Sequence, residues 1–387
     1  MKDLTAQALR QEAGALEEKL ADIYRRLHMH PELGFQEKET AEIIRAELTK
    51  LGLPFTAAQT GTIVDLPIEG NMENAVLLRA DIDALPIQEA TGLPYDSQND
   101  GVMHACGHDS HATMLLGAAQ LLQKHRDQLS RPVRLVFQPA EETLGGAAFM
   151  VEKGVLQDVT EAYCMHVRSD PRVGLFYTMN GCINASCDNF DVIVKGKGCH
   201  GAYPEGGVDA AVIAAHILLA LQDLLSRETW AGDNAVLTIG RMHGGTARNI
   251  LCGEMTLEGT LRTMKQSVRE RLCRRIEEVA SGIAAALRGE AQVVFREKCA
   301  CVQNDSDCVA YAENTVRWLW DDDRVRKATG LSMGSEDFGE YTQQVRGAKV
   351  SITTGYTETI HTPLFRINEA MLPLGAAYFA ALCLKRK

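Results

Sequence analysis

The chain has 387 residues, 45% of them hydrophobic, with 51 acidic against 40 basic side chains and a formal net charge of -11. That length supports a sizeable core and favours two domains over one, while the acidic balance, offset by no basic stretch, excludes a nucleic-acid or anionic-membrane partner and leaves a small molecule. No apolar run approaches the roughly 18 residues of a membrane span, Met1-Lys2-Asp3-Leu4 opens no secretory signal, and the eleven scattered cysteines suit a reducing compartment, so a soluble cytoplasmic protein is expected.

Leu20, Ile23, Tyr24 and Leu27 lie at helical spacing, and Thr40 to Leu51 reads as a second helix after a break at Pro31 to Gly34. Three apolar strands follow. Ala75 to Leu78 leads into Arg79-Ala80-Asp81-Ile82-Asp83; Val133 to Phe137 leads into Gln138-Pro139-Ala140-Glu141-Glu142; Ala162 to Met165 leads into His166. A long apolar helix from about Ser110 to Leu122 lies between the first two. Such alternation predicts an α/β fold, with a mostly parallel central sheet flanked by helices. Its ligands belong at the carboxyl ends of the strands.

The pattern changes near Ser186. Phe190 to Gly198 reads as a strand, Val208 to Leu225 as a helix, then Ala235 to Ile239 and Glu254 to Gly259 as strands. A charged helix from Lys265 to Leu287 and a strand at Gln292 to Phe295 complete a ferredoxin-like α+β unit. It reads as an insertion at 186–298, because a helix from Asp305 to Trp320 and the strand Lys349 to Thr353, followed by His361, resume the first pattern on either side of 1–185 and 299–387.

The chemistry concentrates in Met103-His104-Ala105-Cys106-Gly107-His108-Asp109-Ser110-His111. A thiolate two residues from an imidazole makes a compact pair of soft metal ligands. The pair stands before a helix, whose N-H groups and dipole are expected to favour the thiolate. Read alone, it serves a buried thiol and a capping histidine equally well. Glu141-Glu142 alone would be a solvated surface pair, but a turn after Pro139 lets Glu142 bind metal while Glu141 acts as general base towards a metal-bound water. His166 and His361 are each weak singly. Together these residues supply ligands for one closed site, or for two open ones sharing a bridge.

With these segments stand His30-Pro31-Glu32-Leu33-Gly34, Gly334-Ser335-Glu336-Asp337-Phe338 and His361-Thr362-Pro363. In this order they resemble the amidohydrolase branch of the di-metal aminoacylase and carboxypeptidase family, which includes hippurate hydrolases, N-acetyl-amino-acid deacetylases and hydrolases of indole-acetyl amino acid conjugates. The resemblance covers nearly the whole chain. It implies a di-zinc exopeptidase-like catalytic domain and an insert serving as dimerisation and lid domain.

It further implies two divalent metal ions (Zn, Mn, Ni or Co) held by Cys106, His108, Glu142, His166 and His361, with Glu141 as base. A bridging Cys106 would let His108 and His166 complete one site, and Glu142 and His361 the other. In the insert, Gly198-Cys199-His200-Gly201-Ala202 resembles the family's oxyanion histidine motif, commonly serving the partner subunit's site; a plain turn residue is the alternative for His200. Asn249 and Arg262 match positions near a substrate carboxylate. The implied reaction splits the amide bond of an N-acyl amino acid into a carboxylic acid and a free amino acid, by Glu-assisted attack of a metal-bound water, in a homodimer or higher homo-oligomer.

One departure is Arg168-Ser169-Asp170-Pro171, where the branch often carries an aromatic residue; it bears on the acyl pocket. Within enzymes, a dipeptidase or an N-acetyl-diaminopimelate deacetylase would use the same residues. An idle metal-binding relative would lack the base or a ligand, and this chain has both.

Overall fold

The computed structural model describes residues 4–385. Its contacts divide the chain into two units: Met1–Gly181 with Gln303–Gly330 and Glu340–Lys387, and Cys182–Val302 with Leu331–Gly339. The sequence pattern puts Leu331–Gly339 with the first unit, but its backbone joins the second, where Ala185 N-H donates to the Ser332 carbonyl at 3.1 Å. Periodicity cannot register such a segment, because it has almost no regular structure.

The first unit carries an eight-stranded sheet in the order Thr56–Ala58, Gly61–Leu66, Val133–Gln138, Ala75–Asp81, Val159–Arg168, Arg346–Thr354, Val173–Thr178, Val325–Lys327. The sheet is mixed. The four strands from Val133–Gln138 to Arg346–Thr354 run parallel. Antiparallel pairings lie on either side of this set, one of them made by the tight turn at Gln59 and Thr60. Every residue of Ala75–Asp81 and of Val133–Gln138 is buried, as strands covered on both faces must be.

Helix Glu17–Met29 buries Leu20, Ile23, Tyr24 and Leu27, the stripe their spacing predicts. Helix His108–Lys124 is buried along most of its length and packs against Leu372–Cys383. Glycines permit that approach: a Cβ on Gly117 would sit 2.7 Å from the Ala376 Cβ, and one on Gly375 would sit 2.0 Å from the Met114 sulfur. Among the described residues no helix is long and apolar enough to cross a membrane.

The second unit has its own core around Phe190, Val192, Ile213, Leu221, Leu257 and Ile276. Strands Ser186–Lys195, Ala235–Gly244, Glu254–Thr263 and Glu290–Cys299 form an antiparallel sheet in the spatial order fourth, first, third, second. Helices Ala210–Ser226 and Gln266–Ala286 pack against it. Asp209 caps the first of these by accepting the N-H groups of Ala211 and Val212.

Candidate active site

Six of the nine candidate residues meet in the first unit. Gly107, with φ 78°, turns the chain from Cys106 into helix His108–Lys124, and a Cβ there would lie 2.7 Å from a Val167 methyl. His108 is therefore the first residue of the helix rather than a loop residue before it. The Ala105 carbonyl accepts the His361 N-H at 2.8 Å, tying the segment beyond Arg346–Thr354 to the cysteine loop while His361 itself has φ 61°.

Cys106 Sγ lies 3.4 Å from His166 Nε2 and 3.3 Å from His361 Nε2. His108 Nε2 lies 3.9 Å from Glu141 Oε2 and 3.8 Å from Glu142 Oε1, and His361 Nε2 is 3.5 Å from the same Glu142 oxygen. Two sets of donors, Cys106 with His108 and His166, and Cys106 with Glu142 and His361, each bring one ligand atom per residue within 4.8 Å of the others. Among the described residues, buried His108 Nε2 and Glu142 Oε1 have no hydrogen-bond partner. Orphaned polar atoms inside a protein are costly, and a divalent cation would satisfy both. The donor set of thiolate, imidazole and carboxylate fits such an ion.

Carboxylates behind the cluster orient it. Asp83 sits 3.1 Å from His108 Nδ1 and accepts the Glu142 N-H at 2.9 Å, so the histidine's other nitrogen faces the cluster. His166 does the same by donating Nδ1-H to the Val167 carbonyl at 2.8 Å. Asp81 meets His111 Nδ1 at 2.5 Å and Arg79 Nη1 at 2.6 Å, and His111 Nε2 accepts the Val167 N-H at 2.9 Å. That acceptance puts the His111 proton on Nδ1, and burial holds its pKa down. Asp81 and Asp83 carried no role in the sequence reading. Their signal was two aspartates at one strand end, two positions apart.

Burial pushes the Cys106 thiol well above its ordinary value, with His108 opposing. Burial and the helix entrance thus act in opposite directions on this thiol, desolvation favouring the neutral form and the N-terminal field the thiolate. Burial also disfavours the charged form of His108, yet Asp81, Cys106 and Asp83 outweigh it and hold its pKa well above ordinary. Glu142 is raised to about 7, by burial foremost and by the Asp83 charge. His361 is lowered by burial and by His108.

The other three candidates belong to the second unit. His200 bridges Ile250, and Gly201 N-H donates to the Asn249 carbonyl at 2.8 Å, so these two loops lie side by side with His200 and Asn249 exposed. Arg262 Nη1 instead donates to the Met333 carbonyl at 2.9 Å and lies 3.4 Å from Ser335 Oγ. In the first unit, the departing Arg168 lays its guanidinium over the Tyr177 ring at 4.6 Å.

The model of peptidase family M20/M25/M40 matches residues 77–385. The chain is 38% identical over 375 residues to an N-acetylcysteine deacetylase of Bacillus subtilis (strain 168), covering 95% of this chain and 97% of that one. It is equally 38% identical over 375 residues to IAA-amino acid hydrolase ILR1-like 2 of Arabidopsis thaliana, covering 95% and 84%. Among solved structures, the Bacillus subtilis YXEP protein, described as a dinuclear metal-binding peptidase of the M20 family, matches with a TM-score of 0.80 at 34% identity over 95% of this chain and 98% of that one.

Proposed function

The chain belongs to peptidase family M20/M25/M40, and from that premise we propose a site in which Cys106 is shared by two metal positions. The protein is a metal-dependent amidohydrolase of N-acyl amino acids. The reading assigns Cys106, His108 and His166 to one position and Cys106, Glu142 and His361 to the other. The observation that carries it is the pair of three-donor sets with Cys106 in common. Soft thiolate and imidazole donors favour zinc, cobalt or nickel, and availability admits manganese.

Bound cations would polarise the scissile carbonyl and acidify the attacking water. Glu141, buried beside His108, takes the proton from that water and hands it to the leaving amine nitrogen. On the resemblance of their segments to the family's motifs, His200 would supply an oxyanion donor, commonly to the partner subunit's site, and Asn249 with Arg262 would receive the substrate carboxylate. The strand order of the second unit supports a ferredoxin-like insert. Its strand Ala235–Gly244 is an edge exposing Val236 and Met242, which supports pairing with a second copy and hence a homodimer. The cytoplasm is the proposed compartment, on the strength of eleven free cysteines.

A panel of N-acetyl, N-benzoyl and free-amine dipeptide substrates tests the reaction. Turnover of acylated substrates is expected, and turnover of free-amine dipeptides alone would overturn the assignment. Glu141→Ala should keep its metal by elemental analysis while kcat falls by about two to four orders of magnitude. Undiminished hydrolysis would remove Glu141 as the base.

A further inference from the structure

Glu37 is fully buried, and the chemistry above makes no use of it. It stands at the N-cap of helix Lys38–Lys50 without capping it through its side chain. The carboxylate reaches away instead. One oxygen accepts the Ala140 N-H at 2.8 Å, and the other accepts the Thr60 hydroxyl at 2.7 Å. Burial raises the Glu37 pKa, while the bonds from Thr60 and Ala140 pull it back. Taking a carboxyl group out of water is costly, so its two bonds must stabilise something the fold needs.

What the first of these bonds holds is the residue before Glu141. Ala140 has φ 55°, a left-handed conformation that residues with a Cβ seldom adopt. Its carbonyl accepts the Gly146 N-H at 3.1 Å and the Thr143 hydroxyl at 3.1 Å. On its other side the chain of Gly34 packs so closely that a Cβ there would meet the Ala140 Cα at 3.1 Å. Beyond Glu141, the Glu142 N-H is held by Asp83 at 2.9 Å. The turn is thus anchored by a buried carboxylate before Glu141 and by another after it.

We propose that Glu37 is a positioning residue whose carboxylate fixes the Ala140 N-H and so aims Glu141 and Glu142 into the site. The inference rests on the roles proposed for those two glutamates. Glu37→Met keeps the volume and removes the acceptor; Glu37→Gln keeps an acceptor oxygen; Thr60→Val removes the second bond and leaves the Ala140 bond in place. With metal saturating, Glu37→Met should lower kcat by about 100-fold, the scale of a displacement of roughly 1 Å, while KM stays within about threefold. Glu37→Gln should recover kcat to within about fivefold, and Thr60→Val should resemble the parent.

Amide hydrogen exchange supplies a readout independent of activity. The Ala140 amide should be protected in the parent and in Glu37→Gln, and exposed in Glu37→Met, with strand Val133–Gln138 protected throughout. An unprotected Ala140 amide in the parent, a normal kcat in Glu37→Met, or equal losses in Glu37→Met and Glu37→Gln would overturn the proposal. Normal hydrolysis by Glu141→Ala would instead defeat the base assignment while leaving the exchange result to judge the Ala140 bond. An inactive Glu141→Ala beside a fully active Glu37→Met would defeat this inference alone.

Discussion

His28 shows how a single ring can join the scaffold to the site. It lies fully buried on helix Glu17–Met29, 2.7 Å from Asp109 in the first turn of the helix that begins with His108, and 3.1 Å from Glu89. Burial disfavours its charge, but the bonds to Asp109 and Glu89 outweigh that cost and raise its pKa to about 10. A histidine raised from an ordinary 6.5 contributes stability that is complete below pH 6.5 and is lost as pH rises through about 10. Glu89 and Asp109 are both lowered, so removing the cation between them strands two buried carboxylates. His28→Gln should therefore cost about 3–5 kcal/mol in denaturant titrations at pH 6, and less at pH 9. A penalty that does not shrink with rising pH would show that packing, rather than charge, is what the ring supplies. Neither partner was legible in the sequence, because nothing local marks a contact 61 or 81 positions away.

At the scale of elements, the turn after strand Val133–Gln138 holds the strictest local geometry. A Cβ on Gly146 would lie 1.7 Å from the Pro139 carbonyl oxygen, a clash with backbone that no rotamer relieves. Gly146→Ala must shift the turn carrying Glu141 and Glu142, so a stability loss of about 1–3 kcal/mol is expected with a fall in kcat. Thermal melting and steady-state kinetics check this, and an unaffected kcat would show that the glutamates do not depend on the turn. Strands and helices with strong periodicity were readable from residues alone: Val133–Gln138, Ala210–Ser226 and Gln266–Ala286 fall within a few positions of their expected bounds. The short strands Thr56–Ala58 and Gly61–Leu66, strand Val173–Thr178 and helix Ala6–Gly14 were not. The two short strands draw their order from neighbours in the sheet more than from their own composition.

For the whole molecule, a cation at the site would compete with protons for Cys106, His108 and Glu142, the three ligands whose pKa values are raised. Glu142 at about 7, against an ordinary carboxyl near 4.5, favours folding most below pH 4.5 and loses that contribution as pH rises through 7. Burial favours the neutral Cys106 thiol as well. Metal affinity should rise between pH 6 and pH 8, with proton release visible by titration calorimetry in buffers of different ionisation enthalpy. A chelator should lower the melting temperature, since a ligand at a hundredfold its Kd stabilises by about 2.7 kcal/mol. Affinity independent of pH over this range would contradict the ligand set. By itself the sequence determined which residue types end each strand and that thiol, imidazole and carboxyl groups recur there, because side-chain periodicity and turn chemistry act over a few positions. Only the tertiary structure decided which of them meet, since Cys106 finds His166 across 60 positions and His361 across 255. It also decided their protonation, because burial and neighbouring charge set a pKa and neither exists until the chain has folded.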